Sequence, residues 1–185
     1  MGRPKKFSRV EVLDKTIPVF WKHGLAETTV QDLEQATGVN KSGLYAEFEN
    51  KEDLFVASLQ RYFEVLRERG TLTKKPLGWG NIEDFLKYSK GSWGQKGCFS
   101  VNSMREFSDL PGSARELMIG NVVGLKRELV RNLSAARSKS GGTNDALAGL
   151  VLTFFSGICL EQNLHPTEKQ ITDKIAQFMQ MIRAV

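Results

Sequence analysis

Lys41, Ser42 and Tyr45 lie on one side of a short predicted helix, opposite the apolar side chains of Leu44 and Phe48. An ammonium group and two hydroxyls can donate to phosphate oxygens and to the edges of bases. A glycine between them removes bulk from the first turn, although glycine costs a helix about 1 kcal/mol relative to alanine. This pattern indicates a surface shaped for a groove of nucleic acid.

A second short helix precedes this one. Its start is predicted from either of two capping pairs, Thr28 with Gln31 or Thr29 with Asp32. The two helices are separated by a four-residue turn, residues 37–40, which contains a glycine. Two short helices joined in this way form a helix-turn-helix.

Two longer helices flank the pair. Apolar residues at steps of three and four predict the first over residues 8–23, with a stop at Gly24 and a bend at Pro18. Asn50 is the predicted cap of the fourth helix, which runs over residues 51–69 and stops at Gly70.

The rest of the chain is predicted to be helical after a linker at residues 71–80. The five further segments lie at about 81–93, 98–109, 113–137, 144–163 and 167–184. The expected fold is therefore all-α with about nine helices.

The distribution of net charge alone does not show which part of the chain would bind a polyanion such as nucleic acid. The net charge is +5, yet residues 1–56 hold eight lysines and arginines against nine acids. A local basic cluster, Arg3, Lys5, Lys6 and Arg9, precedes the first acidic residue.

Several classes of protein are disfavoured. Cys98 and Cys159 stand in apolar surroundings and are expected to be buried thiols rather than a disulfide. Metal-ligand spacings, phosphate-binding glycine loops and nucleophile elbows do not occur in the sequence, so we expect no metal, no cofactor and no enzymatic activity. A secretory signal and an uncharged apolar run of about 18 residues are also missing, which favours a cytoplasmic protein without a membrane span.

The run from Thr28 to Phe55, TTVQDLEQATGVNKSGLYAEFENKEDLF, resembles the DNA-binding domain of the TetR (tetracycline-repressor) family of bacterial transcription regulators. The shared features are the threonine pair, Gly-Val in the turn, Leu-Tyr followed by an aromatic residue, and Asn-Lys-Glu-Asp-Leu-Phe at the start of the fourth helix. The resemblance implies an N-terminal DNA-binding domain, residues 1–56, and an effector-binding and dimerisation domain, residues 57–185.

The resemblance also implies which residues contact DNA. They are Thr28, Thr29, Gln31, Lys41, Ser42, Gly43, Tyr45 and Lys51, with Arg3, Lys5 and Lys6 of the tail reaching a groove or phosphates. Glu47 departs from the aromatic residue or histidine often found at its place in the family, which leaves the base contacts open.

The C-terminal part is expected to hold a small-molecule effector and a second copy of the chain. The expected pocket residues are Phe85, Trp93, Met104, Phe107, Met118 and Phe155, with Asn102, Arg105, Glu106 and Asn121 as possible polar groups. The expected dimer interface is formed by the last two helices through Leu147, Val151, Phe154, Ile158, Ile171, Ile175, Phe178 and Ile182.

These implications amount to a homodimeric, ligand-responsive transcription regulator, most simply a repressor that an apolar or aromatic small molecule releases from a two-fold-symmetric operator. Three alternatives stay open at this stage. The chain could be an activator or an architectural DNA binder without an effector, an enzyme with an incidental helix-turn-helix, or a monomer whose last two helices form an ordinary core.

Overall fold

The computed structural model describes residues 7–90, 93–137 and 142–184, and these ranges contain nine α-helices. They are α1 (Arg9–Glu27), α2 (Val30–Thr37), α3 (Lys41–Tyr45), α4 (Lys51–Arg69), α5 (Trp79–Lys87), α6 (Phe99–Ser103), α7 (Gly112–Ala136), α8 (Gly142–Glu161) and α9 (Glu168–Arg183). These ranges contain no strand. The all-α prediction is confirmed.

Local capping sets the starts of the N-terminal helices. Ser8 and Glu11 form a capping box on α1, and Thr29 with Asp32 forms one on α2. Asn40 and Asn50 cap α3 and α4 through their side-chain oxygens. Each of these caps involves residues within three positions of one another, which is why the sequence predicts them well.

Among the N-terminal helices, α3 and α1 differ from the predictions in detail. Helix α3, which the sequence predicts over residues 41–48, ends at Tyr45, because the chain tightens and the amide of Glu47 donates to the carbonyl of Leu44 at 3.0 Å. The non-helical dihedral angles in α1 occur at Gly24, where φ is +80°, and not at Pro18, which lies inside the helix. The last turn of α1 therefore follows a break at Gly24.

Helix α4 belongs to both parts of the molecule. Leu54, Phe55 and Leu59 are fully buried, and the ring of Phe55 packs edge-on against Phe20 of α1 at 5.3 Å. The C-terminal half of the helix continues along α7. The domain boundary expected between residues 56 and 57 thus lies inside a continuous helix.

The linker between α4 and α5 is fastened to α7 by Asn132. Its side-chain amide donates to the carbonyl of Leu72 at 2.7 Å. Its side-chain oxygen accepts from the amide of Gly78 at 3.0 Å and from the side chain of Asn81 at 2.9 Å. A buried asparagine that satisfies this many groups fixes the loop against the body.

The remaining helices form the body, with α8 between α6 and α7. By length and composition α8 is apolar enough to cross a membrane, with a mean hydropathy of 1.4 between Thr143 and Leu164. Val151, Ile158 and Cys159 on its inner face are buried in the protein. The segment predicted at 98–109 is shorter than expected, because α6 gives way to a 3-10 turn over Met104–Glu106.

Candidate functional site

Helix α3 presents a polar face to solvent. Leu44 is fully buried and anchors the helix, while Lys41 and Ser42 are exposed and Tyr45 is half-buried. The ammonium of Lys41 lies 6.0 Å from the centre of the Tyr45 ring. The exposed groups are a cation and hydroxyls, the side chains that donate to phosphates and to base edges.

The N-terminal end of α3 is held by the turn and by α2. The side-chain oxygen of Asn40 accepts from the amide of Gly43 at 2.9 Å. A carboxylate oxygen of Glu34, which lies in α2, accepts from the amide of Lys41 at 2.5 Å. Gly38 adopts the left-handed conformation, with φ of +73°, that lets the chain reverse between the two helices.

The other end of α3 is held by Arg9, a residue that the sequence places only in a basic cluster. One guanidinium nitrogen of Arg9 donates to the carbonyl of Glu47 at 2.7 Å, and the guanidinium lies 4.2 Å from the centre of the Phe48 ring. Arg9 therefore joins the start of α1 to the end of α3. The two residues in the hydrogen bond are 38 positions apart, so no local sequence signal identifies the pair.

Gly43 serves the packing of the turn rather than a close approach from solvent. A Cβ atom added there would lie 2.7 Å from Cγ1 of Val39 and 3.1 Å from the side-chain oxygen of Asn40. The space is filled by the protein's own turn. Gly43 lies in the first turn of α3, and its expected position against base edges stays a prediction.

The threonine pair divides between two tasks. Thr28 is 1% exposed and its hydroxyl donates to the carbonyl of Gly24, so this hydroxyl does not point to a ligand outside. Thr29 is exposed and caps α2, with its hydroxyl donating to Asp32 at 2.6 Å. Hydrogen bonds from the side chain and then the backbone of Thr29 lower the pKa of Asp32. Gln31 is exposed in the first turn of α2, on the solvent side of the helix.

Lys51 is already bonded within the protein. Its ammonium donates to the carbonyl of Thr28 at 2.9 Å and to the carbonyl of Ala26 at 3.4 Å. An ammonium has three donors, so two of them fix the connection between α1 and α2. The third donor is not used by these two bonds, and the phosphate clamp expected of Lys51 stays a prediction. The helix-turn-helix part, α1 to α3 with the first turns of α4, is named here the head. Arg3, Lys5 and Lys6 lie outside the described residues.

A cavity of about 930 Å³ lies in the body between α4, α5 and α7. Phe85 and Phe155 line it and stack with their ring centres 4.5 Å apart. The other apolar lining residues are Val56, Tyr62, Phe63, Leu66, Leu72, Tyr88, Cys98, Leu117 and Leu125. The polar ones include Gln60, Arg67, Thr71, Thr73, Ser113, Glu116, Asn121, Arg127 and Glu128.

The other four expected pocket residues lie elsewhere. Met118 is 2% exposed in the core, and Met104 is 55% exposed because it starts the 3-10 turn after α6. Trp93 packs against Trp21 and Tyr62 at the base of the head, with ring centres 6.4 and 5.5 Å apart. Phe107 is half-buried outside the cavity lining. Of the four expected polar groups, Asn121 lines the cavity and Asn102, Arg105 and Glu106 do not.

Cys98 and Cys159 are free and buried. Cys98 lines the cavity, and the Tyr62 hydroxyl donates to its sulfur at 3.3 Å. Burial raises the pKa of both thiols, which keeps them protonated and poorly nucleophilic. These are neutral groups at the cavity wall and in the core behind it.

Most of the residues expected at the dimer interface do not lie on the outward face of α8 and α9. Leu147, Val151, Ile158, Ile171, Ile175 and Ile182 are buried in the protomer's own core. The periodic apolar stripe faces inward, and the exposed apolar residues lie beside it. They are Leu150, Leu160, Leu164 and Met181. Phe154 and Phe178, half-buried, stack at 3.7 Å between the two helices and complete this apolar face.

The capped helix pair and the exposed side of α3 place the chain among helix-turn-helix proteins, here with a larger helical body that contains a cavity. Residues 12–58 match the family model described as bacterial regulatory proteins, tetR family. The match to this family covers the helix-turn-helix part of the chain.

Curated relatives and solved structures are also similar to this chain. The HTH-type transcriptional repressor ComR of Escherichia coli (strain K12) is 37% identical over 114 residues, which cover 58% of this chain and 54% of ComR. The HTH-type transcriptional repressor AcnR of Corynebacterium glutamicum is 37% identical over 85 residues, 44% of each chain. The matched part of this chain thus spans about half the length of these relatives or less.

The fold extends over almost the whole chain. A cysteine-substituted form of the TetR family transcriptional regulator CifR, complexed with a 26-base-pair double-strand operator DNA, superposes with a TM-score of 0.81. The superposition covers 97% of this chain and 98% of that one at 18% identity. At this identity the likeness establishes the fold.

Proposed function

We propose that this protein is a DNA-binding transcription regulator that acts as a repressor. The observation that carries the proposal is the exposed face of α3, with Lys41 and Ser42 outward and Tyr45 beside them, held at both ends by Asn40 and Arg9. A rigid polar rod of this size fits the major groove of duplex DNA. The repressors ComR and AcnR are each 37% identical to this chain, over 114 and 85 residues respectively.

Two acidic side chains near α3 accept hydrogen bonds from the protein itself. Glu34 accepts from the amide of Lys41, and Asp32 accepts from Thr29. Lys41, Ser42, Tyr45, Thr29 and Gln31 then form the proposed contact surface. Thr28, Gly43 and Lys51 support that surface from within.

The proposed assembly is a homodimer in the cytoplasm. Leu150 is 58% exposed and Met181 is 67% exposed, beside the stacked Phe154 and Phe178. Apolar residues grouped on the outside of two neighbouring helices suit a second copy of the same face. Two copies of α3 about 34 Å apart would read successive major grooves of a two-fold-symmetric site.

The proposed effector site is the cavity between α4, α5 and α7. Its volume of about 930 Å³ is in the range of small-molecule sites, and its stacked Phe85 and Phe155 suit a flat apolar or aromatic ligand. A ligand releases DNA when it binds more tightly to a conformation that reads the operator poorly. This cavity favours a ligand-responsive repressor over an architectural binder without an effector.

The deciding experiment is a selection of bound sequences from random duplex DNA with the purified full chain, followed by fluorescence anisotropy. We expect a two-fold-symmetric site that binds much more tightly than a scrambled duplex of the same length. Transcription in vitro from a promoter that overlaps the selected site should fall when the protein is added. Equal affinity for selected and scrambled duplexes would overturn DNA reading, and increased transcription would overturn repression.

A further inference from the structure

The carboxylate of Glu106 binds two backbone amides of the head. One oxygen accepts from the amide of Leu25 at 2.7 Å and the other accepts from the amide of Ala26 at 3.2 Å. These amides lie just after the break at Gly24, where the helix no longer supplies their usual carbonyl partners. Glu106 itself belongs to the 3-10 turn of the body, about 80 residues away in sequence.

The close approach depends on Gly24. A Cβ atom added to this residue would lie 2.5 Å from one carboxylate oxygen of Glu106 and 2.7 Å from the other. The φ of +80° at Gly24 is also one that side-chain-bearing residues rarely adopt. Both the conformation of the break and the absence of a side chain therefore make room for the carboxylate.

The segment that Glu106 holds leads directly into α2. The Thr28 hydroxyl donates to the carbonyl of Gly24, and Lys51 of α4 donates to the carbonyls of Ala26 and Thr28. Residues 24–28, named here the hinge segment, are thus held on their amides by the body and on their carbonyls by α4. Any shift of either partner changes the direction in which α2 and then α3 leave α1.

The same stretch of the body reaches the cavity. Cys98 lines the cavity at one end of α6, and Glu106 lies eight residues later at the other end. Between them Phe99 is fully buried and its ring stacks on Trp21 of α1 with centres 6.1 Å apart. The indole nitrogen of Trp21 donates to the carbonyl of Lys96 at 3.1 Å. This stretch is packed against the head along its length.

We propose that Glu106 is a positioning residue that sets the orientation of the α2–α3 pair relative to the body. Its charge-assisted bonds to Leu25 and Ala26 fix the hinge segment in the conformation seen here. A ligand that displaces the stretch from Cys98 to Glu106 would release the hinge segment. The effect on operator affinity rests on the proposed function, whereas the effect on orientation does not.

The test compares Glu106→Gln with Asp109→Asn. Glutamine keeps the shape of Glu106 but turns one acceptor into a donor that faces an amide. Asp109 is exposed three residues later, and its substitution removes the same charge without touching the hinge segment. Hydrogen exchange at the amides of Leu25 and Ala26 should accelerate about tenfold in Glu106→Gln and stay at the wild-type rate in Asp109→Asn.

Orientation is measured by the distance between spin labels at Gln35 of α2 and Lys169 of α9, both exposed. Labelled protein is diluted into an excess of unlabelled protein so that only distances within one chain are read. Glu106→Gln should shift or broaden this distance and weaken operator binding about tenfold relative to Asp109→Asn. A purely local structural role would speed exchange without moving the labels.

An unchanged label distance in Glu106→Gln overturns the proposal. A changed distance in a protein whose wild type ignores DNA supports the positioning role and overturns the proposed function instead. A changed distance with unchanged operator affinity overturns the link between the hinge segment and DNA reading.

Discussion

The hydroxyls of Thr16 and Ser58 lie 2.8 Å apart at the buried contact between α1 and α4. Each hydroxyl oxygen also lies within hydrogen-bond distance of a carbonyl in its own helix. Thr16 is 3.1 Å from the carbonyl of Leu13, and Ser58 is 2.7 Å from the carbonyl of Leu54. A polar pair inside an apolar contact favours one register of the two helices, because a slide would lose the hydrogen bond between the two hydroxyls. Helix α4 thereby keeps one position against the head.

We therefore expect Thr16→Val to lower the free energy of unfolding by about 1 kcal/mol, since valine keeps the shape and loses the hydroxyl. Ser58→Ala should cost a similar amount, and the double variant should cost less than the sum of the two. Chemical denaturation of all four proteins measures the coupling. Strict additivity would show that the two hydroxyls do not interact.

Lys41→Ala should weaken operator binding and flatten its salt dependence. If the ammonium contacts one phosphate, the slope of log affinity against log salt concentration should fall by about 0.9. Lys169→Ala removes the same charge from an exposed position on α9 and serves as the control. Equal slopes in the two variants would remove Lys41 from the phosphate contacts.

Gly97→Ala should be far more damaging than Gly94→Ala. Both residues have positive φ, +79° and +71°, so both variants pay the strain of that conformation, about 1 kcal/mol. At Gly97 the new Cβ would also lie 2.5 Å from the carbonyl oxygen of Cys159, whereas the space around Gly94 is open. We expect a loss of about 3 kcal/mol or more at Gly97, read from thermal and denaturant unfolding. Similar losses at the two positions would mean that α8 yields to the clash.

Leu150→Glu should convert the proposed dimer to a monomer at micromolar concentration, because the substitution places a charge on the exposed apolar face of α8 and α9. Val10 is 47% exposed in the head and gives a control in Val10→Glu. Sedimentation of both variants measures the mass. A monomeric wild type, or a dimeric Leu150→Glu, would place the second copy elsewhere or nowhere.

Gly124→Leu should remove the response to small molecules, since Gly124 lines the cavity and the space beside it is open. The comparison is Gly80→Leu, also helical with open space but outside the cavity lining. Thermal shifts by an aromatic compound library are recorded for the wild type and both variants. Compounds that stabilise all three proteins equally do not use this cavity.

Features that depend on residues close together in sequence can be predicted from the sequence. Contacts between residues far apart in sequence cannot. Ser8, Thr29, Asn40 and Asn50 cap helices through partners three positions away, so their roles follow from spacing. The bonds of Lys51 to carbonyls 23 and 25 residues earlier carry no such signal. A lysine at the start of a helix looks the same in sequence whether it faces a phosphate or its own chain.

The apolar helices illustrate a second limit. Periodicity identifies the stripe of Leu147, Val151 and Ile158 correctly as buried, but it does not say whether the protomer or a partner buries it. The exposed apolar face is indicated by apolar residues outside the stripe, such as Leu150 and Met181. The aromatic richness of residues 85–118 is similarly divided between the cavity, the core and the base of the head.

Helix α4 contributes Val56, Gln60, Phe63 and Arg67 to the cavity wall, and its first residue, Lys51, holds the segment that leads into α2. Under the proposed function, substitutions on α4 that change which small molecule binds should therefore also change binding to the operator. The cavity walls that α5 and α7 contribute are on helices that do not hold this segment. Under the proposed function, substitutions that change the inducer should accumulate first on those two helices. A mutant library meant to alter ligand choice alone is best confined to them.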